Sequence, residues 1–230
     1  MKTMGIIGGL SWESSLAYYK LINEMVKQRL GGLHSAQCTM YSVDFGPVEV
    51  MMREENWAQI GEILIDAAVK VEKGGVDLIA ICSNTMNKMA DDIQNNVSIP
   101  VLHIADATAE KIKSSGIKKV GLLGTKVVME GNFYKDRLKN KHNIDVVVPN
   151  EADRVFINDV ILKELCLRIL NPVSKEKFKG IINKLVSQGA EGIVLGCTEI
   201  PLLIKQEDSD SPVFDTLTIH AEAIVAAALR

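Results

Sequence analysis

Residues Gly75-Val76-Asp77-Leu78-Ile79-Ala80-Ile81-Cys82-Ser83-Asn84-Thr85 line up with Gly189-Ala190-Glu191-Gly192-Ile193-Val194-Leu195-Gly196-Cys197-Thr198-Glu199 at a constant offset of 114 residues. Glycine meets glycine, Asp77 meets Glu191, and Ser83 meets Cys197. Two more pairs follow in the same order: Gly5 to Gly9 recurs as Gly121 to Thr125 at an offset of 116, and Ile99 to Leu102 as Ser211 to Phe214 at 112. Short apolar runs match by chance, but ordered matches at nearly one spacing indicate a duplicated α/β unit. The fold expected is α/β, with two pseudo-symmetric lobes. Each is a Rossmann-like parallel sheet flanked by helices, and the active site lies in the cleft between them. The lobe limits read from the sequence are 1–98 plus 208–230 for the first and 99–207 for the second.

Each long repeat has the composition of a strand buried on both faces, aliphatic without interleaved polar residues, and then turns polar. Open parallel sheets bind their ligands at that C-terminal end. Cys197 and Ser83 therefore occupy equivalent strand ends and are expected to face each other. Such a pair can attack one carbon from both sides, one group removing a Cα proton while the other delivers a proton to the opposite face. The plain alternative for Cys197 is a small buried hydrophobe. A catalytic thiol would have its ordinary pKa of about 8.5 drawn toward neutrality by helix N-termini and nearby cations.

Composition removes several function classes. A formal net charge of −3 leaves no broad basic field, so nucleic acid is not an expected partner. No stretch reaches the roughly 20 apolar residues of a membrane span, and Met1-Lys2-Thr3-Met4 runs into a strand instead of a signal peptide, which places the chain in the cytoplasm. The cysteines, Cys38, Cys82, Cys166 and Cys197, form neither a CxxC pair nor a cluster with histidine, so neither zinc nor a disulfide framework is expected.

Along the chain, Met4 to Gly8 reads as a strand and Ser11 as a possible cap for a helix over 15–30, whose apolar stripe is Leu16, Tyr19, Leu21, Ile22 and Val26. The glycines before it lack the G-x-G-x-x-G spacing of a dinucleotide loop. Strands are expected at 38–43, 99–104, 119–124, 145–148 and 213–215, and a long amphipathic helix at 154–170. Arg53 reads either as a solvated surface charge or as a bidentate carboxylate clamp. Cys82 should point away from Ser83 into its lobe, since neighbours on a strand alternate. His103 and Asp215, at equivalent strand ends, either orient a site group or serve as cap and core.

At Gly8-Gly9-Leu10-Ser11-Trp12-Glu13-Ser14, Ser83-Asn84-Thr85-Met86, Gly124-Thr125 and Gly196-Cys197-Thr198-Glu199 the sequence resembles the aspartate/glutamate racemase family, the cofactor-independent amino-acid racemases. The Ser-Trp-Glu-Ser loop is similar to the broad-specificity subgroup. The resemblance implies Cys197 and Ser83 as the catalytic pair. It implies Leu10, Ser11, Met52, Arg53, Glu54, Asn84, Thr85, Met86, Thr125, Thr198 and Glu199 around the substrate carboxylate and ammonium. It further implies no metal, no cofactor, a free amino acid as substrate and a homodimer. Three departures stand out: Ser83 occupies the place of the family's other cysteine, Asn87 that of a frequent histidine, and Val128 that of a frequent threonine. The first bears on the second base, the others on substrate preference.

The function expected is a racemase of a small or acidic amino acid such as aspartate or glutamate. The alternatives are a one-base isomerase or decarboxylase of small carboxylates, and a ligand-binding relative in which Ser83 records lost catalysis. Because a hydroxyl is a far weaker acid than a thiol, the hydrogen facing Cys197 should exchange faster than the one facing Ser83.

Overall fold

The computed structural model describes residues 1–230. The chain divides into two compact units, one of Met1–Ile104 with His220–Arg230 and one of Ala105–Ile219. Unit 1 holds strands β1 (Met4–Gly8), β2 (Cys38–Ser42), β3 (Leu78–Ile81) and β4 (Val101–Leu102) in the order β2-β1-β3-β4. Unit 2 holds β5 (Lys119–Gly124), β6 (Asp145–Val147), β7 (Gly192–Gly196) and β8 (Val213–Asp215) in the order β6-β5-β7-β8. All pairings are parallel. The central strands β1, β3 and β7 are buried throughout, as strands covered on both faces by helices must be.

The repeat extends to side chains. The Asp77 carboxylate accepts the Thr3 N–H, and the Glu191 carboxylate accepts the Lys118 N–H, each fixing the start of its central strand. Gln94 donates to the Val97 and Ile99 carbonyls and accepts the Val101 N–H. Gln206 donates to those of Ser209 and Ser211 and accepts the Val213 N–H. The same clasp thus holds the short edge strand of each unit.

The lobe limits read from the sequence differ from this division. β4 lies in the range assigned to the second lobe, yet it hydrogen-bonds to β3; β8 lies in the range assigned to the first, yet it pairs with β7. The chain changes unit only after these edge strands, inside the helices that follow them, Ile104–Ser114 and Thr216–Ala228.

Two helices also differ from expectation. The helix Trp12–Leu30 buries Ser14, Ser15, Tyr18, Ile22 and Val26 and turns Leu16 and Tyr19 to solvent. The long helix expected over 154–170 starts earlier, capped by Asn150, and ends at Lys163. A short turn, Leu165–Leu167, follows, with Arg168 in the left-handed region at φ 60°.

Two buried tyrosines occupy corresponding places. Tyr18 donates to Nδ1 of His220, whose Nε2–H donates to the Leu102 carbonyl, so this histidine is a satisfied, neutral core residue. Tyr134, fully buried in unit 2, lies beside Thr108 with no hydrogen bond to its hydroxyl. Burial holds the His220 pKa down at about 4.

Candidate active site

In unit 1 the site residues come from the loop after β1 and the turn after β3. Gly9 has φ 80°, and a side chain there would overlap the backbone of Val43, so the chain passes too close for any other residue. Ser11 follows at φ 95° and ψ 126°, a conformation that costs a non-glycine residue about 1–3 kcal/mol. Local hydrogen bonds hold it there. Its Oγ accepts the Ser14 N–H and donates to Glu13, and its carbonyl accepts the Ser15 hydroxyl, whose oxygen in turn accepts the Gly9 N–H. Leu10 is buried and Ser11 half-buried.

After β3, Cys82 is completely buried, its thiol pKa pushed far up by burial, and its carbonyl accepts the Ser14 hydroxyl. Ser83 is half-buried. Its Oγ accepts the Met86 N–H at 3.3 Å, which uses an acceptor lone pair and leaves the hydroxyl proton for donation. Asn84, Thr85 and Met86 are buried beside it. Met52 is half-buried, whereas Arg53 and Glu54 are exposed. The Arg53 guanidinium pairs with Glu49 at 2.9 Å in the same helix. An exposed pair of this kind is worth about 0.3–0.5 kcal/mol and would yield readily to a ligand carboxylate.

In unit 2 Thr125 follows β5, and its Oγ1 accepts the Val128 N–H. Cys197 follows β7, 7% exposed. Its thiol donates to the Glu199 carboxylate at 3.0 Å, and that carboxylate also accepts the Thr198 hydroxyl at 2.8 Å. This environment reverses the sequence expectation for the thiol. Burial, and after it the Glu199 charge, push its pKa well above the usual range, because a thiolate there would be desolvated and face a second anion. The resting group is a thiol with a built-in proton acceptor.

The remaining sequence candidates sort by geometry. Val128 is fully buried and packs where side chains on Gly124 and Gly196 would stand, so it fills the gap between β5 and β7. Asp215 caps the helix after β8 through the Leu217 and Thr218 N–H groups, and His103 is buried. A surface cavity of about 240 Å³ in unit 1 is lined by Trp57, Gly61, Met89 and Asn95 among others, none of them a candidate. Sequence reasoning missed Ser14 and Ser15, whose spacing of three and four residues from Ser11 is the one signal that could have placed them on its side of the helix.

The family model of Asp/Glu/hydantoin racemases matches residues 7–224. A Yersinia pestis protein whose crystal structure is described as that of a candidate Asp/Glu racemase is 48% identical, with a TM-score of 0.95 over 100% of both chains. An aspartate racemase homologue from Pyrococcus horikoshii is 39% identical, with a TM-score of 0.88 and the same coverage. The broad-specificity amino-acid racemase of Bacillus subtilis is 29% identical over 73% of this chain and 72% of its own. With nearly its whole length matched and the glycine loop, the Ser83 strand end and the Cys197 strand end in the places described, the chain belongs to the Asp/Glu/hydantoin racemase family.

Proposed function

We propose that the protein is a cofactor-independent amino-acid racemase acting on a small or acidic amino acid such as aspartate or glutamate, with Cys197 and Ser83 serving opposite faces of one Cα. The observation that carries this reading is the buried Cys197–Glu199 pair at the end of β7, supported by family membership and by relatives named as amino-acid racemases. The substrate brings the missing cation. Its ammonium offsets the Glu199 charge that opposes a thiolate, Glu199 takes the thiol proton, the thiolate removes the Cα proton, and Glu199 then releases its proton to solvent. The Ser83 hydroxyl, polarised by the Met86 N–H, delivers its proton to the other face and is reprotonated from solvent. Backbone donors after β1, β3 and β7, with Asn84, Thr85 and Thr198, would seat the carboxylate.

The test is Cα hydrogen exchange in deuterated water with the two enantiomers of aspartate, glutamate and small neutral amino acids. Racemisation with exchange, both abolished in a folded Cys197→Ala protein, supports the reading. Exchange with no racemisation at all would replace it with one-base chemistry, a reading that the hydroxyl at position 83 favours. Binding without exchange would leave a ligand-binding protein. The homodimer also belongs to this proposal. The exposed apolar stripe Trp12, Leu16 and Tyr19 on one helix face supports it, and light scattering decides it.

A further inference from the structure

We infer that Asn87 is a positioning residue for Ser83; the inference rests on the racemase reading just given. Asn87 is 1% exposed. Its Nδ2 donates to the Ser83 carbonyl at 2.7 Å and to the Ile81 carbonyl at 3.3 Å, while its Oδ1 accepts the Ile104 N–H at 3.1 Å. The amide orientation is forced, since a flipped amide would set its oxygen against two carbonyls and its NH₂ against an N–H. Asn87 therefore does not read a substrate. It ties the end of β3, and Ser83 itself, to the start of the helix that follows β4.

Unit 2 shows what is particular about this tie. The carbonyl equivalent to that of Ile81 belongs to Leu195, and it accepts the Thr216 hydroxyl at 2.7 Å; Thr216 corresponds in the repeat to Ile104. The place corresponding to Asn87 is Pro201, which has no side-chain donor. Each unit thus fastens the same carbonyl, unit 1 from the turn and unit 2 from the helix after the edge strand. In unit 1 the side chain of Asn87 also holds the Ser83 carbonyl, where in unit 2 the counterpart Cys197 carbonyl accepts the Ile200 backbone N–H at 3.3 Å. A hydroxyl is the weaker proton donor and depends more on fixed aim than a thiol already paired with Glu199, which gives the side-chain tie a purpose.

The experiment compares Asn87→Ala with Ser83→Ala by deuterium exchange. In Asn87→Ala, racemisation and exchange from the Ser83 face should fall at least 10-fold, while exchange without inversion from the Cys197 face and the KM stay within about twofold. Equal loss on both faces, or no loss, overturns the inference. If Ser83→Ala racemises at the natural rate, the two-group reading falls and the inference with it; if only Ser83→Ala is impaired, the inference alone falls. Should Asn87→Ala fold poorly, Ile104→Thr added to it supplies the Ile81 carbonyl with a donor as Thr216 does in unit 2. That double variant should fold and remain defective on the Ser83 face, and recovered exchange there would overturn the inference.

Discussion

The two units share a strand order, a glutamine clasp and a carboxylate at the foot of the central strand, yet they part at the strand end where chemistry is proposed. In unit 1 a hydroxyl accepts a backbone N–H and keeps its proton to give. In unit 2 a thiol keeps its proton and donates it in a hydrogen bond to a carboxylate. Duplication conserved the scaffold, and the chemical asymmetry rests on a few side chains: Ser83 and Asn87 on one side, Cys197 and Glu199 on the other.

The largest effect should come from removing the carboxylate that distinguishes unit 2. Glu199→Gln should cut Cα exchange by about 100-fold or more, in the range of a lost general base. The same change removes the charge that raises the Cys197 pKa, so alkylation of the thiol at neutral pH should quicken as exchange slows. A parallel fall of both rates would show that Glu199 only maintains the fold.

Making the units chemically alike gives the next effect. Ser83→Cys should speed exchange of the slow enantiomer by about 10- to 1000-fold and narrow the gap between the two. Equal exchange of both enantiomers in the natural protein, unaltered by Ser83→Cys and by Ser83→Ala, would remove Ser83 from the mechanism.

The buried tyrosines offer a comparison in stability. His220 has its pKa held at about 4 in the folded state against 6.5 in the unfolded chain, so the unfolded state binds more protons as pH falls between them. Unit 1 should therefore lose about 3 kcal/mol over that interval. Asp106 adds to acid sensitivity at lower pH. Burial opposes its ionisation, but Arg137, His142 and Lys141 together hold its pKa below the usual 3.8, so its stabilisation is lost as pH falls below that value. Urea midpoints of His220→Gln should be flatter than those of the natural protein between pH 6.5 and 4, and equal slopes would contradict the assignment. The smallest difference should separate Gln94→Ala from Gln206→Ala. Each loses three hydrogen bonds at an exposed edge, for about 1–2 kcal/mol apiece. Unequal costs would show that the clasp has drifted in one unit.

The repeat made the strand order and both strand ends legible because apolar runs with glycine punctuation survive duplication. It also held better lobe limits than those drawn from it, since the match of Ile99–Leu102 to Ser211–Phe214 already assigns one edge strand to each half. Helix faces were harder to read. Leu16 and Tyr19 fit an apolar stripe, but the loop needs Ser14 and Ser15 to hold Ser11 and Cys82, and these serines turn the leucine outward. The state of Cys197 was not readable at all. Its pKa depends on burial and on a carboxylate two residues away, and adjacency in sequence does not reveal the direction in which Glu199 points.

Each unit is completed by residues from the other half of the sequence. His220 reaches Tyr18 from the far end of the chain, and Thr108 and Asp106 reach Tyr134 and Arg137 across the midpoint. A gene cut at the repeat boundary, near residue 115, would yield two fragments, one leaving Tyr18 without His220 and the other leaving Arg137 without Asp106. Such fragments should stay unfolded when made separately and assemble when made together, so the two copies can no longer be selected, lost or exchanged as independent modules.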